Sequence, residues 1–539
     1  DRIVTTLPDA ISGAINASYE TVNQGKTGNI ELDAPAGPIA LHLDSTISNS
    51  NNYQIPGYAE QGGPNANWAI NPGNPVNVPY RGKLPFSFSS QNSLGFGASY
   101  IRNDGYTGAS LERMNHNYGI PTAEGGFIQQ SQNRYDFAHQ TNNPFDGFSF
   151  LKFSAANTNY QHTEFNDNGI ASTQWANTAT EARLELAHNK WLGSQGGLGV
   201  QITGATLNAT DLATNNYAIV PQTKSNANAL FLVEEGRYGD LKTSLGARYS
   251  YAGQNPNTAT QFPSPSSQGI PNSYGPPSIQ NRQFNLFSYS AGGIYDIVRG
   301  YGLGLAYTVS QRAPTPQELY SYGPHDSTAT FDIGNSSLGT ETSHNIELSF
   351  QKTLGNIRSK VSLYRNQFTN YIYGFYTGAY STVYENFSVV QASQANAYIR
   401  GAEGEISYNW NQSGVGSRIF GDVSQGSFNA GGNLPLQPAP RLGTELAYQK
   451  NGWLTSASYI YSYQQNRLAN WEIGPTPSYN LLNANLSYTE RIGKVNWTSY
   501  IALKNLLNED IRYATSPMAV RLYAPQPGRS LMIGVRAAF

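Results

Sequence analysis

Residues 531–539 read LMIGVRAAF, and the alternation within this stretch decides the fold. In an extended chain Leu531, Ile533, Val535, Ala537 and Phe539 share one side, while Met532, Gly534 and Arg536 share the other. The same period of two recurs at IALHLDSTI, where Ile39, Leu41 and Leu43 oppose His42, Asp44 and Thr46. It recurs again at TEARLELA (Ala182, Leu184, Leu186 against Glu181, Arg183, Glu185) and at HNIELSFQK (Ile346, Leu348, Phe350 against Asn345, Glu347, Ser349). Each segment is a strand with one apolar and one polar face.

Composition indicates what those faces meet. Charged residues are 13% of the 539, aromatics 12% with 37 Tyr, and glycines number 54, whereas soluble domains carry about a quarter charged residues. Mean hydropathy is −0.46, and no apolar run approaches the ~18 residues of a membrane helix. Transmembrane helices are therefore excluded. A formal charge of −2 predicts no nucleic-acid partner, and the absence of cysteine removes disulfides and thiolate metal sites.

The connections separate a barrel from a soluble sandwich. Short links at 35–38, 103–105, 235–240, 297–302, 354–356, 451–452 and 492–494 alternate with long polar ones at about 48–90, 253–282, 313–341 and 465–477. Turns thus gather at one end and loops at the other. About 22 strands result, an even number, and an up-and-down barrel of that size has a lumen wide enough to need a plug. NIRSKVSLYRNQFTNYIYGFYTG, residues 356–378, runs past the roughly 10 residues that cross a bilayer, so the walls project beyond it. Trp453, Tyr459, Tyr461, Tyr463 and Trp497 suit interfacial girdles. No fixed repeat period supports a β-helix. The expectation is an all-β, 22-stranded antiparallel transmembrane barrel with short periplasmic turns and long extracellular loops.

Five segments together carry a family resemblance: QRAPTPQELYSYGPH (311–325), IGNSSLGTETSHNIEL (333–348), AYIRGAEGEISYNW (397–410), LKNLLNEDIRY (503–513) and PGRSLMIGVRAAF (527–539). In that order they resemble the barrel of a TonB-dependent outer-membrane receptor. The resemblance implies a Gram-negative outer-membrane location, a monomer set in lipid and lipopolysaccharide, and Phe539 as a signal read by the barrel-assembly machinery. It implies that residues 1–11 are the end of the linker from an N-terminal plug, that residues 12–539 form the barrel, and that the plug, through which TonB would act, is absent from this sequence. Among such receptors the 312–335 arrangement is most similar to the zinc receptors and more distantly to the haem receptors. In the haem comparison Arg312, Ala313 and Pro314 stand for one box and Asn335 and Leu338 for a second, with His325 between them; Gln311 replaces the first box's Phe, and the second box's Pro is missing.

Strand parity sorts the seven histidines as ligands. Zinc takes imidazole nitrogen and carboxylate oxygen, and residues i and i+2 of a strand face the same way. His162 and Glu164 share the face opposite Leu151, Phe153 and Ala155 and point into the lumen. His42 and Asp44 form a second inward pair near the 35–38 turn, and His116 shares parity with Glu112. His139, His188 and His344 follow the apolar parity and face the membrane boundary. His325, beside Asp326, sits in the long loop above the mouth as a capture ligand on a moving lid. Only Met114, Met518 and Met532 offer sulfur, which favours zinc over copper as the transported ligand. No GxSxG elbow, phosphate loop or HExxH is present, so no enzyme is expected. The expected function is zinc uptake; haem or siderophore iron uptake, a passive pore, and a phage, bacteriocin or adhesion receptor are the alternatives.

Overall fold

The structure, a computed structural model, describes residues 2–63, 80–122, 125–384, 387–410 and 414–539. The middle of the loop expected over 48–90, residues 64–79, lies outside the described residues. Of the 26 strands among these residues, 22 run antiparallel around a closed barrel and four lie in loops. Closure occurs where Ser12–Glu20 pairs with Ser530–Ala538, Ala17 opposite Val535. A closed barrel leaves no strand edge unpaired, which an apolar solvent requires because it offers the backbone no hydrogen bonds.

The alternation read from the sequence sets the two faces of this wall. Leu531, Ile533 and Val535 are 38–48% exposed, as are Ile346, Leu348 and Phe350 at 40–50%. Apolar exposure on this scale marks a surface that meets lipid. On the opposite parity Glu181, Arg183, Glu185, His42 and Asp44 line a lumen hollow of about 1250 Å³. At the end with short connections, Asn451 (φ 52°) and Gly452 (φ 82°) both adopt the left-handed conformation. That pair makes the tight hairpin between Arg441–Lys450 and Trp453–Ser462.

The other end is closed by packed loops. Loops 51–88 and 313–340 are rooted ten strands apart, on opposite walls, and loop 505–529 lies beside the barrel seam. Yet Ile55 and Leu84 of the first, Tyr322, Phe331 and Ile333 of the second, and Met518, Leu522 and Tyr523 of the third share one buried cluster. Loops from opposite walls can meet only over the mouth, so they form a lid. Phe331 and Leu522 are 0% exposed, and full burial of such a side chain stabilises by about 1.5–3 kcal/mol. Within 313–340, expected as loop, the chain forms the helix Pro316–Tyr320 and a hairpin of Tyr322–His325 with Thr330–Ile333. The second hairpin strand adds in parallel to the outer end of Ser388–Trp410, so the lid grows out of the wall's own sheet.

Candidate functional site

The lid approaches the lumen wall around His325. The Nδ1 atom of His325 lies 2.9 Å from Asp332 Oδ2, and Thr330 donates to Asp332 Oδ1 at 2.7 Å. Burial disfavours the imidazolium, but Asp332, helped by Glu164 and Asp326, outweighs it and holds the His325 pKa above the ordinary value. The field of Glu164 thus reaches His325 from the wall below. Asp326, its sequence neighbour, opens a short 3₁₀ turn and accepts the Ala329 N–H through its carbonyl.

On the wall, His162 and Glu164 occupy the outer end of Phe148–Phe165. Nδ1 of His162 is 2.8 Å from the Tyr160 hydroxyl, and its ring stacks on Trp175 at 6.1 Å. Its Nε2 is buried, has no hydrogen-bond partner, and stands 3.6 Å from Glu164 Oε1. A buried nitrogen left unpaired in this way costs about 1–3 kcal/mol. The Glu164 carboxylate offsets part of that cost only when the ring is protonated.

The other expected ligands are otherwise engaged. His42 is 4% exposed, with Nδ1 2.8 Å from Asp33 and Nε2 3.3 Å from Asp44. Arg2 in turn holds Asp44 at 2.6 Å and Glu112 at 2.9 Å. This network fixes residues 2 and 3 against the wall, where Gly95 and Gly97 leave the space: a Cβ on Gly97 would meet the Arg2 carbonyl at 1.8 Å. His116 pairs with Ser89 through Nε2 at 2.8 Å and packs on Tyr118, while Glu112, on the same face, serves Arg2. Among the boundary histidines, His139 meets Thr107, His188 meets Glu234, and His344 meets the Tyr307 hydroxyl. Among the described residues no three or more His, Asp and Glu side chains are grouped as a ready metal site.

The residues compared with haem boxes build the lid. Arg312 bridges Glu318 and Glu341, each at 2.9 Å, and Thr315 caps the helix that contains Glu318. Ala313 packs on the cluster of Leu319, Tyr320 and Leu338, and the Pro314 carbonyl accepts from Gln254. Asn335 donates its N–H to the Glu318 carbonyl, and the Leu338 carbonyl accepts from Arg282. Sequence reasoning missed the deepest polar contacts of the lid. Arg521 and Glu472 pair at 3.0 Å with both side chains 1% exposed, and Arg512 donates to the carbonyls of Arg521, Leu522, Tyr58 and Ala59. Their only signal was Arg512 inside LKNLLNEDIRY, and its partners lie far away in sequence. Phe539 closes the seam by exchanging two backbone hydrogen bonds with Gly13.

A family model described as "TonB dependent receptor-like, beta-barrel" matches residues 17–506. Solved structures with the same fold include the copper transporter OprC (TM-score 0.79, 14% identity) and the FrpB iron transporter from Neisseria meningitidis (0.73, 12%). The siderophore receptor PirA from Pseudomonas aeruginosa is also similar (0.65, 13%). In each case the match covers 99% of this chain and 81–82% of the other. The matched family model and the closed 22-stranded wall lead to one conclusion: the chain belongs to the TonB-dependent receptors, transporters and receptors of the Gram-negative outer membrane.

Proposed function

We propose that this receptor imports a metal, zinc, captured between the lid and the wall at His325, His162 and Glu164. The observation that carries the reading is the buried, unpaired Nε2 of His162 beside Glu164, on a wall whose carboxylate field already reaches His325. In the tautomer whose Nδ1–H donates to the Tyr160 oxygen, Nε2 keeps its lone pair for a cation, and the donor set is the nitrogen and oxygen mixture zinc accepts. Two of the three thioethers are engaged elsewhere, Met114 with Gln91 and Met518 with the Ile473 N–H, which disfavours a copper site. Energy would arrive through a plug domain coupled to TonB.

Calorimetric titration of zinc into the purified receptor tests this directly. His162→Ala and Glu164→Gln should each weaken binding by about tenfold or more, while His139→Ala leaves it unchanged. Absence of zinc binding, or an equal loss in His139→Ala, defeats the reading. A ferric chelate is the second reading, favoured by the lack of a group of three ligating side chains among the described residues, since a metal that arrives chelated needs none. Tight binding of a ferric siderophore with no response to zinc would select it.

A further inference from the structure

The outward face of the wall carries two arginines in a position that electrostatics disfavours. On Ile357–Tyr380 the outward residues Val361 and Leu363 are 45% and 51% exposed, and the next outward residue is Arg365. Its partner in the antiparallel ladder is Arg400 of Ser388–Trp410, also exposed. Directly paired residues on one face hold their Cβ atoms about 4.5–5.5 Å apart, and like charges so placed destabilise the sheet. Each arginine touches only neutral groups among the described residues. Arg365 meets Gln367 at 3.3 Å and lies 5.2 Å from the Tyr398 ring centroid, and Arg400 meets Gln425 at 3.5 Å. On the lumen face Arg134, Arg183, Arg418 and Arg441 each pair with a carboxylate, and Arg248 meets Ser250.

The height of the pair identifies what neutralises it. The strand rises from the short turn before Ile357, its outward residues Ile357, Val361 and Leu363 are apolar with the small Ser359 among them, and Ile346 and Tyr307 lie in the same cross-strand row as Arg365. Above this row come Gln367, Tyr398 and His344, the last paired with the Tyr307 hydroxyl. The arginines therefore sit at the upper edge of the lipid-facing band, on the side of the long loops. In a Gram-negative outer membrane that leaflet is lipopolysaccharide, whose phosphorylated sugar head lies at this level. Two guanidinium forks across a strand pair suit a phosphate group, and carboxamides, a phenol and an aromatic ring suit the sugar beside it.

We propose that Arg365 and Arg400 form a clamp for a phosphate of lipopolysaccharide, a fixed lipid site on the outer wall independent of the transported cargo. The test is native mass spectrometry of the purified receptor with added lipopolysaccharide, the same lipid stripped of its head phosphates, and phosphatidylglycerol. The wild type should retain phosphorylated lipopolysaccharide about tenfold more than either other lipid. Arg365→Gln with Arg400→Gln should remove that preference, with heat-modifiable gel mobility showing the barrel still folded. Equal retention of the three lipids by the wild type overturns the proposal, as does an unchanged preference in the double variant. Should that variant fail to fold, the lipid comparison on the wild type still decides.

Discussion

The wall and the lid are made of the same residue types placed in opposite order. In the wall Leu363 is 51% exposed, while in the lid Tyr322 is 1% exposed and Phe331 is 0%. Charges invert as well. The wall turns Arg183 and Glu185 into the wet lumen, whereas the lid buries Arg521 against Glu472 with 1% of each side chain exposed. One chain thus folds against two solvents, and burial alone does not distinguish a stable from an unstable position: an exposed Leu is at rest in lipid, and a buried Arg is at rest only with its partner.

Breaking the comparison at its strongest contact should give the largest effect. Arg521→Met leaves the buried Glu472 carboxylate without its counter-charge, held by the Ala469 and Leu436 N–H groups, and should destabilise lid closure by about 3–5 kcal/mol. Hydrogen exchange should show protection lost at Tyr322, Phe331 and Leu522 but kept in the wall strands; loss throughout would mean that lid and wall fold as one unit. The converse change puts a charge on the lipid side. Phe350→Arg, two outward positions below the Ile346 row, should destabilise the barrel by about 2–4 kcal/mol in liposome unfolding, as arginine does near the bilayer midplane, with lid protection below the transition unaltered.

The smallest effect is expected at the hinge between the regions. His325 has a raised pKa in the closed lid, so its contribution is complete below the ordinary value of about 6.5 and is lost as pH rises through the raised one. Because the side chain is 32% exposed, screening should keep the change under about 1 kcal/mol. Lid protection should fall over that window in the wild type and become flat there in Asp332→Asn. A dependence unchanged in Asp332→Asn would assign it to another group.

The same inversion explains what the sequence disclosed. Wall strands were legible because alternation is local: Leu184 and Arg183 declare their faces within two residues, and register with the neighbours preserves them. That parity also brought His162 and Glu164 together on one face. The lid was illegible because its order is not periodic and its partners are remote; the Tyr53 hydroxyl, for example, donates to the Pro525 carbonyl. The hydrogen-bond partner of His325 was hidden for a smaller reason. The hairpin pairs His325 with Thr330 and so brings the Asp332 carboxylate to the ring, a partner set by cross-strand pairing and not by adjacency in the chain.

The seat of residues 2 and 3 has a mechanical meaning. Arg2 is tied to Asp44 on Ile39–Ser50, lies over Gly95 and Gly97 on Ser89–Arg102, and reaches Glu112 on Gly105–Gly119, where Ile3 fills the space above Gly108. A pull on the chain ahead of Arg2 is therefore shared by three adjacent strands as shear along a continuous ladder of hydrogen bonds. The load spreads over the wall before it can peel the first hairpin, Ser12–Glu20 with Gly25–Ala36, away from its neighbours.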